Sequence, residues 1–311
     1  MEYITLKNSD LRVSRLCMGG CPMGGHGWGI VQEQELVNAV HAALERGINF
    51  FDTADTYGLG QSEMTLGRAL GFRRSKAVVA SKFGVRVENH VTFYDNSPEW
   101  IRTACENSLR RLGTDYIDLY QMHYRDGRTD IGTVLETLKQ LRQEGKIRYF
   151  GLCNLTCADL KDLWPYRGEF VSIQDQYSLA CRDFEEDILT LSRDMALNPL
   201  TWGSLGQGVL TGKYDRYATF GSDDRRSREV YVNFHGDKLL KNLEIVEHMR
   251  SIAADRGKPV SALAVRFILD YLPDSVVLCG TKRPEQILTN AQAMDWQLSE
   301  EDLRHLDAVS R

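Results

Sequence analysis

Residues 50–70 read FFDTADTYGLGQSEMTLGRAL. The segment opens on a short apolar run, FFDT, that reads as a buried strand. It closes on residues 62–70, where apolar side chains return at helical spacing and Ser62 is placed to cap the first turn. Between the two stand Asp52 and Tyr57, an acid at a strand end and a phenol in the turn after it. Each has an ordinary reading, the acid as a turn residue and the phenol as an amphipathic surface aromatic. Whether they mean more depends on what the rest of the chain places at equivalent positions.

The same strand-then-helix rhythm runs along most of the chain. A hairpin comes first, with strands at 3–6 and 11–13 around the turn Asn8-Ser9-Asp10. Strands are then expected at 15–19, 48–53, 77–82, 116–121, 147–153, 170–174, 200–202 and 275–279. Helices are expected at 34–46, 62–70, 98–112, 131–143, 158–163, 185–192, 239–256, 260–271, 284–293 and 300–309. In 34–46, Leu36, Val37, Val40, Ala43 and Leu44 share one face and Gly47 ends the helix; Pro98 sits at a first-turn position and Gly113 follows the end of 98–112. The strands are apolar on both faces, as parallel strands covered by helices must be. A doubly wound sheet is conceivable, but eight such units in 311 residues favour a closed (β/α)8 TIM barrel. The expectation is one barrel domain over residues 1–311, with an N-terminal hairpin and additional C-terminal helices. A long polar loop spans 215–233.

Bulk properties narrow the partners. The chain is 42% hydrophobic and 26% charged, enough for a full core without staples, and its net charge is −5 with no block of like charge. Nucleic acid and anionic membranes are therefore poor partners, and a small molecule is the expected one. The start lacks a basic-then-apolar leader, and no run approaches the ~18 apolar residues of a membrane span, so a soluble cytoplasmic protein is expected. Seven cysteines, an odd number without a Cys-x-x-Cys, read as buried free thiols in a reducing compartment.

In a barrel of this kind the chemistry sits at the C-terminal strand ends. Those ends carry Met18-Gly19-Gly20-Cys21, Asp52-Thr53-Ala54-Asp55, Ser81-Lys82-Phe83, Gln121-Met122-His123, Cys153-Asn154, Gln174-Asp175, Trp202-Gly203-Ser204 and Gly280-Thr281-Lys282. Asp52, Tyr57, Lys82 and His123 fall at or beside three successive tips and together suit proton transfer. A phenol is too weak an acid to protonate an alkoxide readily near neutrality, and a neighbouring ammonium lowers its pKa. Lys82 would supply that charge, and Asp52 would keep it protonated away from water. A neutral His123 would donate to a carbonyl oxygen or relay the proton. A metal-dependent hydrolase would need several histidines at the tips, and His123 alone is there.

The segments FFDTADTYGLGQSEMTLGRAL, VVASKFG and YIDLYQMH, in this order and spacing, resemble the aldo-keto reductase family. The likeness runs from the opening hairpin to PEQILTNA at 284–291. It implies an NAD(P)H-dependent carbonyl reductase on a TIM barrel, with Asp52, Tyr57, Lys82 and His123 as catalytic residues and Tyr57 as the acid–base. No Rossmann fingerprint is present, as expected for barrel reductases. The resemblance assigns the nicotinamide carboxamide to Asn154 and Gln174 and stacking on the ring to Trp202. The pyrophosphate falls to Gly203, Ser204, Leu205, Gln207 and Gly208, with Lys213 further along. Gly20, Cys21 and Asp52 are also expected to contact the cofactor. Gly280, Thr281, Lys282, Gln286 and Asn290 form the adenosine end, where Lys282 and Arg283 at a helix N-terminus favour a 2′-phosphate, hence NADPH (NADP+) over NADH. Two positions depart from the family pattern: Cys153 replaces the usual Ser, a poorer donor, and Ser204 replaces the usual Pro, which is expected to loosen the turn.

The substrate pocket would be walled by Trp28, Phe93, Tyr94, Tyr124, Arg125, Arg128 and residues 223–228, a mix suited to a polar, sugar-like or acidic carbonyl compound. The loop 215–233 would close over the cofactor. The rival reading is a slow-turnover regulatory subunit resembling the β subunits of potassium channels, which the lack of a long N-terminal extension disfavours. No sequence feature fixes an oligomeric state.

Overall fold

The computed structural model describes residues 1–29 and 31–311. Strands β1 (Tyr3–Thr5) and β2 (Arg12–Ser14) pair antiparallel as the opening hairpin. Eight parallel strands then close a barrel: β3 (Leu16–Gly19), β4 (Phe50–Asp52), β5 (Val78–Phe83), β8 (Ile117–Met122), β9 (Ile147–Cys153), β10 (Ser172–Gln176), β11 (Asn198–Trp202) and β12 (Val276–Gly280). Each pairs with the next in this order, and β12 returns to β3. Among the described residues ten α-helices surround it: α1 (Glu33–Glu45), α2 (Gln61–Leu70), α3 (Pro98–Leu112), α4 (Ile131–Gln143), α5 (Leu160–Leu163), α6 (Glu185–Asp194), α7 (Gly236–Asp255), α8 (Val260–Tyr271), α9 (Pro284–Ala291) and α10 (Glu300–Ser310). The expected (β/α)8 barrel with its hairpin is present. Among the described residues no helix is long and apolar enough to cross a membrane.

Sequence reading missed one element. Between β5 and α3 a second hairpin projects, β6 (Val85–Glu88) and β7 (Val91–Tyr94). Its two turn residues, Asn89 and His90, both take positive φ (49° and 64°), as a two-residue I′ connection requires. The turn carries no glycine, the usual flag for it, and Asn89 alone, followed by a histidine, is a weak mark.

The strands alternate between two cores, as their period of two dictates. Phe51, Val79, Tyr120, Phe150 and Ile173 face the helices. Cys17, Phe50, Ala80, Leu119, Leu200, Val276 and Leu278 fill the barrel interior, which Leu6, Leu11 and Val13 of the hairpin plug from below. Continuing the inward set upward by two residues brings Asp52, Lys82 and Gln121 to the mouth. The core thus fixes which tip residues face one another.

Candidate active site

Four tip side chains meet inside the mouth. Lys82 is fully buried, and its ammonium donates to Asp52 Oδ1 at 2.6 Å, to the Thr53 carbonyl at 2.9 Å and to the Tyr57 hydroxyl at 3.4 Å. The Tyr57 and His123 rings lie edge to face, 6.1 Å between centroids. Below them, Asp52 Oδ2 accepts from Gln121 Nε2 at 3.0 Å and from Gln174 Nε2 at 2.8 Å. Asp52 is therefore satisfied on both oxygens despite its burial, as a buried charge requires.

The electrostatics differ in one respect from the expectation. Burial is the largest influence on the Tyr57 phenol and pushes its pKa above the ordinary range; Lys82 is the strongest influence in the opposite direction but does not overcome it. Sequence reasoning identified the lysine and could not weigh the desolvation. For Lys82, burial alone would pull the pKa down, but the Asp52 carboxylate, followed by Tyr57, raises it and keeps the ammonium charged. For His123, burial and then the Lys82 charge hold the imidazole well below its usual pKa, so it is neutral. Its Nδ1 is buried without a partner among the described residues.

The turn that presents Tyr57 is built differently from the reading. Gly60, at φ 95°, is the N-cap of α2, and Ser62 is not its cap. Ser62 Oγ instead donates to the Gly20 carbonyl at 2.8 Å and lies 2.7 Å from Thr53 Oγ1, strapping the ends of β3 and β4 together. Gly20 N donates to the Asp52 carbonyl at 2.7 Å, and a Cβ at Gly20 would fall 2.8 Å from that same oxygen.

Across the mouth, Trp202 Nε1 donates to Asn154 Oδ1 at 3.2 Å, and Asn154 Nδ2 donates to the His123 carbonyl at 2.9 Å. Asn154 itself takes φ 53°. After β11, Gly203, Gly206, Gln207 and Gly208 all take positive φ, the left-handed conformation of backbone turns that can form anion-binding concavities. The replacement of Pro by Ser204 does not leave this turn loose: Ser204 is buried and its Oγ donates to the Thr201 carbonyl at 2.8 Å. Gln207 Oε1 accepts from Asn233 Nδ2, tying the long loop to the same turn, and the Lys213 ammonium lies 4.9 Å from the centre of the Tyr214 ring. Leu205 packs against the outer core. Cys153 is buried, and burial keeps its thiol protonated.

At the far end, Val31, Gln32, Glu35, Lys282, Arg283 and Glu285 line a cavity of about 560 Å³ at the start of α9. Gln286 Oε1 accepts from the Lys282 backbone, while Thr281 and Asn290 are buried beside it. The Lys282 ammonium does not hang free: it donates to the Trp28 carbonyl at 2.6 Å. Gly280 sits where a Cβ would come within 3.0 Å of Pro22.

The expected substrate walls sort themselves. Tyr124 stacks between Tyr94 and His123, with ring centroids 5.0 Å away on each side. Arg125 is paired with Asp159 and Asp162, while the exposed Arg128 donates to the Tyr94 carbonyl. Phe93 packs under Arg86. From the long loop, Arg225 lies over the Trp28 ring, with Nη1 3.9 Å from Cys21 Sγ, while Arg226 pairs with Asp224. Gln121 was not anticipated as part of the site; its inward register with Leu119 was the available signal.

A closed parallel barrel with a buried Asp–Lys–Tyr cluster and a histidine at its C-terminal mouth defines the class. The profile of the aldo/keto reductase family matches residues 15–311, and the chain belongs to that family. Among its relatives, an NADH-specific methylglyoxal reductase from Escherichia coli (strain K12) is 32% identical, over 97% of this chain and 96% of the relative. The structure of a glycerol dehydrogenase from Gluconobacter oxydans is similar at 35% identity and TM-score 0.88, covering 99% of this chain and 94% of that one. An aldo-keto reductase from Klebsiella pneumoniae, solved in complex with NADPH, is similar at 28% identity and TM-score 0.75, covering 100% and 96%.

Proposed function

We propose that this chain is a nicotinamide-dependent oxidoreductase that reduces a small aldehyde or ketone to an alcohol, with Tyr57 as the proton donor. The observation that carries the reading is the Lys82 ammonium set between the Asp52 carboxylate at 2.6 Å and the Tyr57 hydroxyl at 3.4 Å. A bound nicotinamide cofactor would supply the hydride. Asn154 and Gln174 would hold its carboxamide, Trp202 its ring, and the turn from Gly203 to Gly208 its pyrophosphate. Gln174 already gives its N–H to Asp52, which leaves its Oε1 as the acceptor for such a group.

Tyr57 then hands its proton to the carbonyl oxygen. A raised pKa suits this direction: the phenol stays protonated until that oxygen becomes alkoxide-like, a stronger base than phenolate. The fixed Lys82 charge stabilises the phenolate left behind, and it does so without reorganisation because Asp52 already holds it. Neutral His123 donates to the same oxygen and fixes its position. Tyr94, Tyr124 and Trp28 would exclude water above it.

NADPH is the favoured cofactor. Arg283 and Lys282 at the start of α9 carry that preference, Arg283 foremost, because the Lys282 ammonium is engaged by Trp28. One relative's specificity for NADH makes this the point to measure first. Following the absorbance of NADPH and NADH with a panel of small aldehydes and ketones tests the reading. Carbonyl-dependent oxidation with the lower KM for NADPH is expected. Absence of turnover with both cofactors across the panel would refute it.

A further inference from the structure

Gln121 is fully buried and projects from β8 into the barrel interior, two residues above Leu119 and in the same layer as Asp52 and Lys82. Its Nε2 donates to Asp52 Oδ2 at 3.0 Å, and its Oε1 accepts from Gln174 Nε2 at 3.3 Å. Asp52 lies on β4, and β5 stands between β4 and β8, so the side chain reaches its partner across the interior. The space it needs comes from Gly151 on β9. A Cβ at Gly151 would stand 2.9 Å from Gln121 Cγ and 2.6 Å from Ser172 Oγ. One layer lower the barrel is filled by Leu119, Leu200 and Ala80, so an apolar side chain would satisfy packing alone at this height.

We propose that Gln121 is a positioning residue for the reaction, one that pins the Asp52 carboxylate so that Lys82 stays aimed at the Tyr57 hydroxyl; this rests on the reading of the site as a carbonyl reductase. A buried carboxylate has about four acceptor positions to fill. Lys82 takes Oδ1. With Gln174 alone on Oδ2, at 2.8 Å, the carboxylate is free to rotate toward sharing both oxygens with Lys82, drawing the ammonium away from the phenol. The amide N–H groups of Gln121 and Gln174 hold Oδ2 down and prevent that. They also offset part of the Asp52 negative charge, which acts against phenolate formation at Tyr57.

The test uses Gln121→Leu and the isosteric Gln121→Glu. For Gln121→Leu, kcat for carbonyl reduction should fall about tenfold or more, because a charge-assisted hydrogen bond that aims Asp52 is lost. The NADPH Kd should stay within twofold. In alcohol oxidation, which needs the phenolate, the alkaline inflection should move to higher pH. Gln121→Glu places two carboxyls against each other, which hold one proton between them. While protonated, the new O–H donates to Asp52 as the amide does, so activity should recover toward wild type at acid pH and fall as pH rises, a dependence absent in Gln121→Leu. A crystal structure of Gln121→Leu should show Lys82 out of hydrogen-bond reach of Tyr57, and this readout holds whether or not a reactive carbonyl compound is found. Wild-type kcat and pH profiles in both variants, or an unmoved Asp52–Lys82–Tyr57 cluster in the crystal, would overturn the proposal. A wild type inert toward every carbonyl would instead count against the reductase reading.

Discussion

The Lys82 ammonium donates to Asp52 Oδ1 at 2.6 Å, and neither side chain has more than 3% of its surface exposed. The pair is part of the barrel interior, held by strands that are neighbours in the sheet. Removing one partner leaves the other charge buried, which typically costs about 3–5 kcal/mol. Lys82→Met should therefore lower the urea midpoint clearly as well as abolish measurable reduction. Asp52→Asn should lower the midpoint too, because it leaves the Lys82 ammonium buried without a counter-charge and turns an amide NH2 toward either Lys82 or the donating Gln121 and Gln174. Urea titrations with equal midpoints for Lys82→Met and wild type would contradict this.

His123 is held neutral by burial and then by the Lys82 charge. The rate of carbonyl reduction should thus show no inflection near the ordinary imidazole pKa of about 6.5. His123→Gln, a neutral donor of similar reach, should keep more activity than His123→Ala, by about tenfold. Profiles of kcat against pH from 5.5 to 8.5 check both statements.

The cofactor preference separates two neighbouring cations. Arg283→Ala should raise the KM for NADPH about tenfold and leave that for NADH nearly unchanged. Lys282→Ala should have the smaller effect on this ratio, since the ammonium is bound to the Trp28 carbonyl at 2.6 Å. Steady-state kinetics with both nucleotides reads this directly, and an equal rise for NADPH and NADH in Arg283→Ala would go against it.

Asp175 gives a pH-dependent test of stability. It is buried, its Oδ2 has no partner among the described residues, and burial followed by repulsion from Asp187 raises its pKa to about 8. The folded chain keeps a proton that the unfolded chain releases above pH ~4. Its contribution is therefore complete below pH ~4 and is lost as pH climbs toward 8. Asp175→Asn stays neutral throughout, so it should gain on wild type by more than ~2 kcal/mol between pH 5 and pH 9 in urea unfolding. Parallel curves for the two proteins would show that Asp175 is ionised in the fold.

The barrel was legible because its strands carry a local signal. Apolar runs such as those around Phe50 and Val79 can be buried on both faces only in a helix-covered parallel sheet, and glycines such as Gly113 mark the ends of helices. The meeting of Asp52, Lys82 and Gln174 follows from the alternation along each strand once the barrel is granted. What stayed hidden depends on distances across the interior. Alternation with Leu119 turns Gln121 inward, but no pattern along the chain indicates that it crosses to Asp52, or that Gly151 is empty to let it pass. Ser62 looked like a helix cap because it precedes an apolar helical run, yet tertiary bonds to Gly20 and Thr53 claim its hydroxyl. Arg125 looked like a substrate contact, and its two carboxylate partners lie more than thirty residues along the chain.

The account turns on the proton carried by Tyr57. The most direct measurement compares Tyr57→Phe with wild type for NADPH affinity and single-turnover carbonyl reduction. Unchanged NADPH affinity with reduction slowed by about 10²–10⁴-fold is the predicted result. Reduction at the wild-type rate in the phenylalanine variant would contradict it.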